Sequence, residues 1–151
     1  MRDITKAFMD TLGTLESTCD SERIARLFDE NAEIVTPATR QSGGGTQAIR
    51  KFWDSYRQSL ESIKSNFRNV VEQDDTIVMK WISEGTASDG PFQYDGVTLL
   101  RCRSEKIVSF RTYSNPARVR SGSSEPRADD RETLTQAQAE AAERRKDGGY
   151  Q

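Results

Sequence analysis

Apolar side chains recur every three to four positions at the start of the chain, through Ile4, Phe8, Leu12, Leu15 and Cys19, the spacing of one buried helix face. Asp20 or Ser21 then offers an N-cap for a second, short helix with Ile24, Leu27 and Phe28 turned inward. Residues 32–36 read as a short strand ended by Pro37, and the run Gln41, Ser42, Gly43, Gly44, Gly45 as a mobile loop. Thr46 is placed to cap a long helix whose stripe is Ile49, Phe52, Trp53, Tyr56, Leu60 and Ile63.

Beyond that helix the period shortens to two. Residues 67–72, 76–87, 92–103 and 106–113 are rich in β-branched and aromatic residues and read as four strands. Asp74-Asp75, Ser88-Asp89-Gly90-Pro91 and Ser104-Glu105 supply turn chemistry between them, and connections this short imply an antiparallel meander. After Pro116 the large apolar residues nearly vanish. The pattern therefore predicts one α+β domain over residues 1–116, followed by a polar tail over 117–151 that is disordered or partly helical.

Composition narrows the function. Charged residues make up 30% of the chain, but 22 basic side chains face 24 acidic ones with no basic block before the tail, which argues against nucleic acid as a partner. No window is apolar enough to span a bilayer, and charges interrupt the N-terminal stretch, so neither a membrane nor a secretory leader is expected. Cys19 and Cys102 lie far apart with no metal-ligand spacing, which suits reduced thiols in a cytoplasmic protein and gives no metal site. No cofactor motif is present either. The glycine run at 43–45 lacks the Gly-Lys-Ser/Thr ending of a phosphate loop. With no histidine at all, serine and cysteine triads and histidine bases are excluded.

The order of these elements resembles the nuclear-transport-factor-2-like superfamily, in its SnoaL-like and ketosteroid-isomerase-like branch. Three stretches carry the resemblance: Leu27-Phe28-Asp29-Glu30-Asn31-Ala32, Gly45-Thr46-Gln47-Ala48-Ile49-Arg50-Lys51-Phe52-Trp53, and Lys106-Ile107-Val108-Ser109-Phe110-Arg111-Thr112-Tyr113. It implies a cone in which a curved, mostly antiparallel sheet wraps the long helix and leaves a pocket at the open end.

Alternation then sorts the strand residues. Ile77, Met79, Trp81 and Ser83 form a neutral set opposite Val78, Lys80, Ile82 and Glu84; Thr98, Leu100 and Cys102 oppose Arg101 and Arg103; Val108, Phe110, Thr112 and Ser114 oppose Ile107, Ser109, Arg111 and Tyr113. Burying unpaired charge is costly, so the neutral sets are placed inside. The expected ligand-binding wall is Phe28, Trp53 and Tyr56 with Met79 and Trp81, completed by Thr98, Leu100, Phe110 and Thr112. The charged sets would form an outer face, through which related proteins pair into homodimers.

The resemblance also tests catalysis. An isomerase of this type needs a carboxylate base, a Tyr and a protonated acid. Thr36, Leu12 and Thr98 stand at those positions. The acids of related epoxide hydrolases and the histidines of scytalone-type dehydratases are missing too. Asp54, Tyr94 and Asp95 remain as acid–base candidates, and a β-bulge could bring Glu84 or Arg101 inward. Three readings follow: a binder of a small hydrophobic or aromatic molecule, a SnoaL-like enzyme acting on a polyketide, steroid or terpenoid, or a dimeric interaction module with a filled core.

Overall fold

The first helical stripe forms where the spacing places it as far as Leu15, while Cys19, counted on the same face, caps the helix and is exposed. In a computed structural model, which describes residues 1–115, α1 spans Asp3–Thr18 and buries Ile4, Phe8, Leu12 and Leu15. Cys19 ends it in the left-handed region at φ 68°, its N–H closing onto the Leu15 carbonyl. Helix α2 is a single turn, Glu22–Ala25, so Leu27 and Phe28 are not helical as the sequence suggests. The Leu27 carbonyl instead accepts the Ile107 N–H, and Phe28 opens strand β1, Phe28–Val35. Pairing to a distant strand here overrides local helical spacing.

Strand β2, Arg40–Ser42, pairs antiparallel with β1 and draws Gln41 and Ser42 out of the expected loop. Helix α3, Gly45–Gln58, is capped by Gly44 in the left-handed region at φ 84°, not by Thr46. It stops before Leu60, whose carbonyl accepts from Arg57 Nη1, so Leu60 and Ile63 leave the helical stripe. Ile63 lies on β3, Ser62–Gln73, and both residues are buried in a second cluster with Trp81, Phe92 and Tyr94.

The remaining strands are β4, Thr76–Ala87, β5, Gly90–Arg103, and β6, Lys106–Ser114. They form a six-stranded sheet ordered β2-β1-β6-β5-β4-β3, in which only β1 and β6 run parallel. Register shifts at 28–33, 67–70 and 101–102 bend the strands, as bulges do, and curve the sheet around the helices.

Alternation holds along β4 and most of β5: Ile77, Met79, Trp81, Ser83, Thr98, Leu100 and Cys102 are buried, while Lys80, Glu84, Arg101 and Arg103 are exposed. Neither Glu84 nor Arg101 is turned inward. It fails on β6. The shift after Arg101 sets Cys102 opposite Ile107, so Ile107 is fully buried and Val108 is displaced from the core set. The main core joins α1 to the sheet through Phe8, Phe28 and Phe110, each fully buried ring contributing about 1.5–3 kcal/mol.

Cys19 is exposed and Cys102 buried, both free thiols. Among the described residues, no helix is long and apolar enough to cross a membrane, and no three acidic or thiol side chains gather to hold a metal. The expected tail, 117–151, lies outside the described residues.

Candidate functional site

Positions 49, 52, 53 and 56 share one face of α3, which turns Phe52, Trp53 and Tyr56 toward the concave side of the sheet. The facing side chains do not close the gap. They leave a cavity of about 50 Å³ that opens to the surface. Phe8 from α1 and Phe67, Trp81, Tyr94 and Phe110 from the strands complete a wall with eight aromatic rings and no charged side chain.

Trp53 is the hub of this wall. Its ring meets Phe52 at 4.9 Å and 81°, Tyr56 at 5.6 Å and 83°, and Phe110 at 5.3 Å and 71°, the edge-to-face arrangement that ring quadrupoles favour. The Trp53 indole N–H is buried without a hydrogen-bond partner among the described residues, a cost of about 1–3 kcal/mol.

Two polar chains interrupt the aromatic surface. On the sheet, Trp81 Nε1 donates to Thr98 Oγ1 at 2.8 Å, and Thr98 shares a 3.0 Å hydrogen bond with Thr112. The other chain starts behind the wall, at Glu16 of α1, which is 5% exposed. Its Oε2 accepts from Tyr56 Oη at 3.0 Å and Ser65 Oγ at 2.6 Å, and its Oε1 from the Ser65 N–H at 2.8 Å. Ser65 Oγ in turn lies 2.6 Å from Ser83 Oγ.

Burial raises the Glu16 carboxyl above its ordinary value, although bonds from Ser65 and Tyr56 and the charge of Arg57 pull the other way. Burial also raises Tyr56 well above the usual phenol value, with the Glu16 charge adding to the effect, and the same two causes raise Tyr94. Both phenols therefore stay protonated at neutral pH. Tyr94 is 1% exposed, lines the cavity and makes no hydrogen bond among the described residues.

A family model described as the SnoaL-like domain matches residues 6–110. This chain belongs to the SnoaL-like family. No curated protein matches it. Solved structures agree on the fold of this SnoaL-like domain. A hypothetical protein of ketosteroid-isomerase-like fold from Catenulispora acidiphila, in complex with trimethylamine, is 19% identical with a TM-score of 0.67, over 79% of this chain and 90% of that one. A protein of nuclear-transport-factor-2-like fold from an Exiguobacterium species is 23% identical with a TM-score of 0.62, over 74% and 98%. TerC, co-crystallised with polyporic acid, is 19% identical with a TM-score of 0.62, over 73% and 87%.

Within this SnoaL-like domain, six of the nine expected ligand-wall residues line the cavity: Trp53, Tyr56, Trp81, Thr98, Phe110 and Thr112. Phe28, Met79 and Leu100 do not; they pack in the solid core below it. Thr36, Leu12 and Thr98, the positions matched to isomerase catalytic groups, all border the cavity with neutral side chains. Of the acid–base candidates, Asp54 and Asp95 are partly exposed and away from the lining, whereas Tyr94 is deep in the wall. Sequence reasoning missed Glu16. Its place on the buried side of α1, one turn after Leu12 and beside Leu15, was the available signal.

Proposed function

We propose that this SnoaL-like domain binds a small, largely apolar molecule in the ring-lined cavity, with the wall hydroxyls fixing its polar group. The observation that carries this reading is an unfilled space walled by eight aromatic rings and a few neutral hydroxyls. It is also why a filled-core module is the weaker account. Structural relatives co-crystallised with trimethylamine and with polyporic acid lend it support, since this fold holds small molecules elsewhere. Native mass spectrometry of protein from its own cells tests it. A retained small molecule, lost in Trp53→Ala or Trp81→Ala, is expected; no retained compound and no uptake from a panel of apolar probes would refute it.

One observation favours an enzyme as a second reading. Glu16, with its raised proton affinity, is joined to Tyr56 at the cavity wall, an arrangement able to pass a proton to or from a bound molecule. Turnover of the retained compound that vanishes in Glu16→Gln, with binding kept, would select it.

We further infer a homodimer formed through the outer face of the sheet. Val97 and Tyr113 are directly paired there, at 36% and 54% exposure. Light scattering of the parent and of Val97→Lys tests this, a monomeric parent being the contrary result. A reducing, cytoplasmic setting suits the two unpaired thiols, and localisation of a tagged chain checks it. The domain boundary is placed near residue 116, where limited proteolysis should cut first; cleavage inside the sheet would count against it.

A further inference from the structure

The donor and acceptor inventory of the cavity says more about its occupant than its apolarity does. Tyr56 and Ser65 both give their hydroxyl protons to Glu16, so the bond between Ser65 and Ser83 must be donated by Ser83. What these groups present to the cavity is then oxygen lone pairs. Across from them, Trp81 Nε1 donates to Thr98, and the Thr98–Thr112 bond consumes another proton. Tyr94 supplies the one phenol O–H in the wall that is not committed to a partner among the described residues. The unpartnered Trp53 indole N–H is a second uncommitted donor among the described lining residues, both of them neutral, against a larger set of oxygen lone pairs.

Charge points the same way. Among the described residues no Lys or Arg lines the cavity, and the Glu16 carboxyl lies one hydroxyl removed from the open space. Arg57 stands beside it, but Arg57 Nε and Nη1 donate to the main-chain oxygens of Glu16 and Leu60, and the two side chains form no ion pair among the described residues. A ring that turns its face to a bound group attracts a cation, and eight rings line this site. The space itself, about 50 Å³, suits a group of a few heavy atoms better than a fused ring system.

Resting on the binding reading above, we propose that the cavity is a site for a small organic cation, an alkylammonium group whose alkyl substituents meet the rings of Trp53, Trp81 and Tyr94. Glu16 balances its charge through the Tyr56 and Ser65 hydroxyls. Glu16 acts as a positioning and charge-balancing residue, not as a direct ligand.

Tryptophan fluorescence and calorimetric titration of the whole chain test this with three probes of similar shape: tetramethylammonium chloride, neutral tert-butanol and anionic pivalate. The cation is expected to saturate the site at least about tenfold more tightly than tert-butanol, the size of a desolvated cation–π contact, with pivalate weaker still. Glu16→Gln should lower the cation's affinity about tenfold and leave tert-butanol binding unchanged. Tyr56→Phe, which keeps the ring and removes the relay hydroxyl, should reproduce part of the loss if Glu16→Gln fails to fold. Equal or tighter binding of tert-butanol or pivalate by the parent overturns the proposal while the binding reading stands. Uptake of none of the three probes, nor of any larger apolar compound, overturns both.

Discussion

The Tyr56 hydroxyl donates to the Glu16 carboxylate at 3.0 Å, tying α3 to α1 across 40 positions of sequence. The contact fixes the ring of a cavity-wall residue and partly satisfies a buried acid. Tyr56→Phe removes the donor and leaves Glu16 with Ser65 as its side-chain partner. It is expected to lower stability by about 1.5–3 kcal/mol, the range for hydrogen bonds to charged groups, measured by urea denaturation with an unchanged m-value.

Glu16 also gives the fold a pH signature. Burial raises its proton affinity above the ordinary value of 4.5, so between that value and the raised one the folded chain holds more protons than the unfolded chain. Stability from this group is therefore full below about 4.5 and declines as pH rises through the raised value. Glu72 behaves oppositely. The Thr5 hydroxyl and the Arg2 N–H lower its value, so its contribution is lost as the solution becomes more acid. Comparing the parent with Glu16→Gln isolates the first effect: the variant should gain on the parent as pH rises above about 4.5, and a constant difference would contradict it.

Trp81→Phe deletes the indole N–H that binds Thr98 within the cavity wall. An expected cost of about 1 kcal/mol for the hydrogen bond, plus a smaller ring in the wall, should appear as a lower urea midpoint. The same variant should bind apolar probes more loosely, which fluorescence from the remaining Trp53 can follow.

Gly96 lies where β5 passes under the Trp81 ring. A Cβ there would overlap the Tyr113 carbonyl oxygen and the ring atoms of Trp81, and the carbonyl belongs to the paired strand. Gly96→Ala is expected to destabilise by about 1–3 kcal/mol, or to displace Trp81 and change its near-ultraviolet circular dichroism. A neutral substitution on both measures would show that the strands yield freely.

The sequence by itself determined the type of every element except β2, the neutral inner sets of β4 and β5, and the aromatic stripe of α3, because period and burial cost act on neighbouring residues along one segment. It also set most of the cavity wall: Trp53, Tyr56, Trp81, Thr98, Phe110 and Thr112 were legible as inward-facing residues. Tertiary structure decided what depends on pairing between distant segments. Phe28 became a strand residue because Leu27 meets Ile107, and Ile107 replaced Val108 inside because the β5–β6 register slips after Arg101. Whether rings pack solid, as around Phe28, Met79 and Leu100, or leave a space, as around Trp53, depends on how bulges curve the sheet away from α3. Glu16 belongs with these. A lone acid on a helix reads as solvated until Tyr56 and Ser65, 40 and 49 positions away, are folded onto it and replace its water.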